Sequence, residues 1–152
     1  MAIYLALGSN LGDREGNIAR ALQMLEPGVH VEAFSPLYET EPVGGPPQPR
    51  YLNGACRVKT DLEPHPLLDY VKEIEAHLGR RPAVRWGPRP IDIDIILYGN
   101  RVVSDSDLTI PHPRMLERTF VLRPLVDLDP DLIHPITGER LADVLTKIAK
   151  AD

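Results

Sequence analysis

Asp92 and Asp94 stand at alternate positions in RWGPRPIDIDIILYG, residues 85–99, and Ile91, Ile93 and Ile95 take the positions between them. On a strand, that alternation turns the isoleucines into the core and both aspartates to the opposite face. Carboxylates two residues apart sit roughly 6.5 to 7 Å apart at the backbone, close enough to share a metal ion or a metal pair. A bare D-x-D is often only a solvated strand face. Here Arg80, Arg81, Arg85 and Arg89 lie just upstream, and cations concentrated beside anions point to a phosphate bridged by metal. Magnesium takes one or two protein carboxylates together with phosphate oxygens and water, which such a strand can supply. Arginines then neutralise charge on the transferring group.

Trp86 offers a face for a base or heterocycle, or else packs as a core or lid aromatic. His112, held between prolines in IPHPR, follows the acidic strand closely enough to reach phosphate. His30, His65, His77 and His134 show no cluster spacing and read as surface or structural residues. No G-x-x-x-x-G-K-[ST] and no G-x-G-x-x-G occurs, which excludes a P-loop and a dinucleotide fingerprint. Gly8-Ser9-Asn10 can present backbone N–H groups to an anion, but a plain turn accounts for it equally well.

These groups need a scaffold, and 152 residues with 43% hydrophobic content suffice for one domain, expected to span 1–152. A net charge of -5 argues against a general phosphate-backbone binder, so no nucleic-acid partner is expected and any basic site is local. No signal pattern or membrane-length apolar run is visible, and the lone Cys56 cannot staple a fold, so a cytoplasmic protein without membrane contact is expected. Residues 3–7 (IYLAL) read as a central strand, and Ile18, Ala21, Leu22 and Leu25 as a helix stopped by Pro27-Gly28. Residues 29–40 read as a second strand and 51–60 as a third. Leu67, Leu68, Val71, Ile74 and Leu78 mark a helix closed by Gly79, and 90–99 is the fourth strand. The order β-α-β-β-α-β predicts an α+β, ferredoxin-like core, with two helices on one face of an antiparallel sheet. A C-terminal extension follows, with a short helix after Pro113 and a final one carrying Leu141, Val144, Leu145 and Ile148. The connections 41–50 and 79–90, rich in Pro and Gly and in arginine respectively, are expected to act as lids over a pocket.

ALGSNLGD, YETEPVGGPPQPRYLN, RWGPRPIDIDIILYG and IPHPRMLERTFVLRPL together resemble the 6-hydroxymethyl-7,8-dihydropterin pyrophosphokinase (2-amino-4-hydroxy-6-hydroxymethyldihydropteridine diphosphokinase) family. The resemblance implies transfer of diphosphate from ATP to the pterin hydroxymethyl oxygen in folate biosynthesis, with release of AMP. It implies that Asp92 and Asp94 hold two magnesium ions, and that Arg80, Trp86 and Arg89 belong to a loop closing over the reactants. Lys72, Glu75, Thr109, His112 and Arg118 match the nucleotide side. Thr40, Pro42, Val43, Gly44, Tyr51, Asn53 and Phe120 match the pterin pocket, with Trp86 closing it. ATP and the pterin are the implied partners of a monomer or weak homo-oligomer. Pro82 replaces a loop arginine that many relatives carry, Lys72 stands where glutamine is frequent, and Asp107 where some have arginine. Those departures bear on nucleotide contacts.

Two other classes remain open on the residues alone. A metal-dependent nucleotidyltransferase also pairs a G-S turn with D-x-D, but normally close together, whereas Gly8-Ser9 and Asp92 are far apart here. A non-catalytic ferredoxin-like module is the other. Its RNA-binding version wants aromatics on the central strands, which IYLAL and NGACRV do not supply.

Overall fold

The computed structural model describes residues 2–41, 47–79 and 89–151. The uninterrupted apolar run at the start forms β1 (Ile3–Ser9), buried on both faces as such a run requires. Helix α1 (Arg14–Leu25) follows, capped by Asp13, whose carboxylate accepts the Gly16 N–H at 3.1 Å. Next come β2 (Val29–Phe34), β3 (Tyr38–Thr40) and β4 (Tyr51–Thr60). Helix α2 (Pro64–His77) begins with proline in its first turn and is closed by Gly79 at φ 95. The acidic strand is β5 (Asp92–Tyr98). A small hairpin, β6 (Val103–Ser104) with β7 (Thr109–Ile110), leads to a 3₁₀ turn at Met115–Glu117, α3 (Thr119–Leu128) and α4 (Leu141–Ala151).

The main sheet runs β2-β4-β1-β5 with every pairing antiparallel, which is the ferredoxin-like order. One expected strand differs. Residues 29–40 form two strands, because Ser35 and Pro36 interrupt the pairing: proline has no N–H to donate to a ladder. β2 pairs with the second half of β4 and β3 with its first half, so a single long strand serves both. Ser35 bridges the break. Its N–H donates to Ala55 O at 2.9 Å, its Oγ accepts the Ala55 N–H at 2.9 Å and donates to Pro36 O at 2.9 Å. The hairpin β6–β7 has no counterpart in the predicted elements, since two-residue strands leave no periodic signal.

The sheet has two apolar faces with different coverings. Ile3, Leu5, Leu7, Ile91, Ile93 and Ile95 meet α1 and α2 through Ile18, Leu25, Leu67 and Val71. Tyr4, Ala55, Ile96 and Leu97 meet the C-terminal extension through Met115, Leu122, Leu125 and Leu141. The alternation of β5 breaks once: Tyr4 faces Leu97 while Leu5 faces Ile95, so Ile96 is an extra residue in a bulge. Both Ile96 and Leu97 therefore face the extension. The extension covers only part of this face, and the remainder, nearer Asp92 and Asp94, opens into a cavity.

Ser35→Ala removes the acceptor for a buried backbone N–H on β4. It is expected to cost about 1 to 3 kcal/mol of unfolding free energy, measured by urea denaturation; an unchanged midpoint refutes the bridging role.

Candidate active site

Register brings the site together. Gly8 on β1 lies opposite Asn53 on β4 and opposite Asp92 on β5, and Ala6 lies opposite Asp94. Thr40 on β3 lies opposite Tyr51. These residues share the face away from α1 and α2. A Cβ on Gly8 would stand 2.8 Å from Asn53 Oδ1 and 3.3 Å from Tyr51 Cδ1, so glycine is what lets the Asn53 amide lie flat over β1. Asn53 Nδ2 donates to Thr40 Oγ1, which fixes the orientation of the amide.

Thr40, Tyr51, Asn53 and Phe120 line a cavity of about 230 Å³, with Arg89, Asp92, Asp94, His112 and Arg118 at its polar end. A second depression of about 400 Å³ holds Lys72, Glu75, Asp107 and Thr109. Arg89, Asp92, Asp94 and His112 line both. Two compartments thus meet at the paired carboxylates. Tyr38, which donates to Asp127 and lies 5.9 Å beneath Arg123, ties β3 to α3 and so joins the strand bearing Thr40 to the helix bearing Phe120.

Arg89 Nη1 lies 3.7 Å from Asp92 Oδ1, both side chains partly shielded. Glu75 is 6% exposed, and its Oε2 accepts the Ile93 N–H at 2.8 Å, between the two aspartates on the outer edge of the sheet. The His112 backbone N–H donates to Ile96 O at 3.0 Å, while its ring Nδ1 accepts the Arg114 N–H at 3.2 Å. That acceptance assigns the ring proton of the neutral form to Nε2. Burial lowers the His112 pKa from its ordinary value, the Arg118 guanidinium lowers it further, and Asp92 opposes both. The Arg118 guanidinium also lies 5.5 Å over the Phe120 ring.

Thr40, Tyr51, Asn53, Phe120, Lys72, Glu75, Thr109, His112, Arg118, Arg89, Asp92 and Asp94 therefore all line one compartment or the other. Pro42, Val43, Gly44, Arg80 and Trp86 lie outside the described residues. Sequence reasoning passed over Asn10, buried at 1% exposure, which hydrogen-bonds to Gln48, Pro49 and Arg89. Its only signal was its place in the G-S-N turn. His65, expected to be unclustered, sits 2.9 Å from Asp105 and 3.6 Å from Asp107, because the β6–β7 turn folds back on α2. These groups are all substantially exposed and separate from Asp92 and Asp94, and a surface imidazole–carboxylate contact accounts for them.

The fold and these two adjoining compartments define an α+β domain in which two depressions meet at one pair of carboxylates. Residues 4–130 match the model of the 7,8-dihydro-6-hydroxymethylpterin-pyrophosphokinase (HPPK) family, and the chain belongs to that family. It is 44% identical over 152 residues to the folic acid synthesis protein fol1 of Pneumocystis carinii, covering 99% of this chain and 20% of that one. It is 42% identical over 141 residues to the 2-amino-4-hydroxy-6-hydroxymethyldihydropteridine pyrophosphokinase of Aquifex aeolicus, covering 93% of this chain and 88% of that one. The chain thus spans about a fifth of the length of the fungal relative and most of the bacterial one. A crystal structure of Plasmodium falciparum HPPK-DHPS superposes with a TM-score of 0.81 at 17% identity, covering 98% of this chain and 45% of that one, which shows the shared fold.

Removing the Arg118 charge by Arg118→Gln should raise the His112 pKa, and Asp92→Asn should lower it further. NMR titration of the metal-free protein checks both signs, and shifts in the opposite directions refute the electrostatic assignment.

Proposed function

We propose that this chain, as one domain over residues 1–152, transfers the β,γ-diphosphoryl group of ATP to the hydroxymethyl oxygen of 6-hydroxymethyl-7,8-dihydropterin, yielding AMP and the pterin diphosphate for folate biosynthesis. The observation that carries this reading is the meeting of two differently built compartments at Asp92 and Asp94. The smaller one has an aromatic wall from Tyr51 and Phe120 and an oriented amide from Asn53, which suits a flat heterocycle with a polar edge. The larger one carries Lys72, Thr109 and buried Glu75, and suits a nucleotide reaching the carboxylates with its phosphates.

The donor set at the junction is two carboxylates on one strand face beside an arginine. Hard oxygen donors of this kind fit magnesium and not a soft metal. Asp92 and Asp94 would hold two such ions, which when bound neutralise phosphate charge and polarise the phosphoryl oxygens. Arg89 and Arg118 face the same junction and stabilise charge on the transferring group. Neutral His112, with its proton on Nε2, can donate a hydrogen bond to a phosphate oxygen. Thr40 and Asn53 hold the heterocycle so that its hydroxymethyl arm faces the phosphate chain. Positioning and charge stabilisation then supply most of the acceleration.

Arg80 and Trp86 are assigned by family resemblance to closing the nucleotide side, and Pro42, Val43 and Gly44 to the pterin wall. Lys72 and Asp107 both line the nucleotide compartment, so their departures from common family residues bear on nucleotide affinity. None of the described helices is long and apolar enough to cross a membrane. The buried thiol of Cys56, its pKa pushed up to about 12 by desolvation, is an inert core group compatible with a reducing cytoplasm. A monomer is sufficient for this site, since every group invoked comes from one chain.

Incubation with ATP, Mg²⁺ and the pterin should give AMP and pterin diphosphate in equal amounts by chromatography. Release of pyrophosphate instead would favour nucleotidyl transfer, and no turnover would favour a binding module. Asp94→Ala should fold normally and lose at least about 10²-fold in turnover, by comparison with the loss of one transition-state donor elsewhere; near-normal turnover sinks the carboxylate assignment. Gly8→Ala should raise the pterin KM while leaving the nucleotide KM within about twofold, because its new Cβ displaces the Asn53 amide. Equal rises in both would show that Gly8 acts on the sheet as a whole.

A further inference from the structure

Tyr38 lines neither compartment, yet it joins the two walls of the aromatic one. Those walls come from different layers. Thr40 and Asn53 lie on the sheet, while Phe120 lies on α3, which belongs to the extension. Tyr38 stands opposite Asn53 and two residues before Thr40, so all three side chains share one face of the β3–β4 pair. On α3, Phe120, Arg123 and Asp127 follow one another at helical spacing and form a stripe along one side. Tyr38 meets that stripe at two points: its hydroxyl donates to the Asp127 carboxylate, and its ring centre lies 5.9 Å from the Arg123 guanidinium.

Between those two points the helix lacks a rung. Pro124 sits inside α3 and has no N–H, so the Phe120 carbonyl receives no bond from one turn ahead, and the proline ring crowds the same carbonyl. The residue that loses its ladder bond is therefore the one that walls the compartment. Leu122 and Leu125 are fully buried and hold the other side of the helix in the core, but neither lies on the stripe that bears Phe120. Tyr38 grips that stripe before the proline through Arg123 and after it through Asp127. β3 gains from the same tie, because it has three residues and, among the described strands, pairs with β4 alone. Glu39, on its alternate face, is steadied by Arg14 Nη2 at 3.4 Å; Tyr38 steadies the face that bears Thr40.

We propose that Tyr38 is a positioning residue that splints α3 across Pro124, and so sets the distance from Phe120 to Thr40 and Asn53 and with it the affinity of the aromatic compartment for a flat heterocycle. Small errors in that distance matter. A radial gap of about 0.5 to 1 Å forfeits a quarter to a half of the dispersion attraction across a contact. The nucleotide compartment has no such dependence, because Leu68, Lys72 and Glu75 on α2 face the β6–β7 turn there and α3 takes no part. The proposal rests on the diphosphoryl-transfer reading for the identity of the heterocycle, and adds a residue that touches neither ligand.

The test is calorimetry with α,β-methylene-ATP and Mg²⁺, first alone and then saturating, with 6-hydroxymethyl-7,8-dihydropterin as the titrant. Tyr38→Phe removes the hydroxyl and keeps the ring. It should weaken pterin binding by about three- to tenfold, the range of one ordinary hydrogen bond, and leave nucleotide binding alone within about twofold of wild type. Asp127→Ala should do the same, and the double variant should bind no more weakly than the weaker single variant, because both remove one bond. Pro124→Ala returns an N–H to the helix, so the loss caused by Tyr38→Phe should be smaller in a Pro124→Ala background than in the native one. Unchanged pterin affinity in Tyr38→Phe overturns the proposal, as does an equal weakening of both ligands, full additivity with Asp127→Ala, or a loss of the same size in the Pro124→Ala background. If Tyr38→Phe does not fold, Asp127→Ala, at an exposed position, decides by the same split between the ligands and the same dependence on Pro124. Wild type that binds both ligands while its variants match it refutes Tyr38's role alone, whereas wild type that binds neither refutes the functional reading and this proposal with it.

Discussion

The alternation of β5 is the constraint on which the rest depends. The strand and the residue before it must place Ile91, Ile93 and Ile95 under α1 and α2 and Asp92 and Asp94 on the opposite face, and a slip of one residue would exchange them. Two carboxylates in that core would be prohibitive without partners. Register is therefore locked by hydrophobic burial alone, before any ligand is considered. Glu75 adds a second lock. β5 is an edge strand, and an edge leaves outward N–H groups without ladder partners. The buried Glu75 carboxylate takes the Ile93 N–H, fixing the backbone between the aspartates from the side opposite β1.

The covering of the sheet decides where chemistry takes place. On one face, α1 and α2 close the core completely along β1 and β5. On the other, the extension packs against Tyr4, Ile96 and Leu97, and the bulge at Ile96 gives it two consecutive apolar residues to grip. The uncovered part of that face lies over Gly8, Asn53 and Asp92, where β1 carries no side chain at all. A floor made flat by glycine, a wall from Phe120 on α3 and a rim from β3 then follow from how far the extension reaches. The Tyr38–Asp127 contact holds that reach fixed.

Most of this was legible in the sequence because period and composition carry it. The alternation in IDIDI gave the carboxylate face, the helical spacing of Leu67, Val71 and Ile74 gave α2, and together with the other strand and helix signals they dictated the β-α-β-β-α-β order. What was not legible depends on partners distant in the chain. Residues 29–40 read as one strand, and the break at Ser35-Pro36 shows only when Ala55 is seen to supply both halves of the Ser35 bridge. Asn10 reads as one residue of a turn, since its significance lies in Arg89 and Gln48 and not in its neighbours. His65 has no histidine or cysteine nearby in sequence, and only the β6–β7 turn brings Asp105 and Asp107 to it. The assignments of Thr109 and Glu75 to one compartment came from family resemblance, because no local pattern links an edge-strand carboxylate acceptor to a hairpin threonine.

The charge balance gives the last constraint. A chain of net charge -5 does not attract a nucleoside triphosphate at long range, so affinity for one must arise within the site. Asp92 and Asp94 alone would make matters worse by setting anions against anions. Cations at the same place reverse that sign, and the chain supplies some of them itself in Arg89 and Arg118, which face the junction alongside the carboxylates. Asp92 and Asp94 would hold a divalent ion, which would supply the remainder of the positive charge. Placed apart, neither the arginines nor the aspartates would bind a polyphosphate selectively; placed together, they would favour an anion that arrives with a divalent ion.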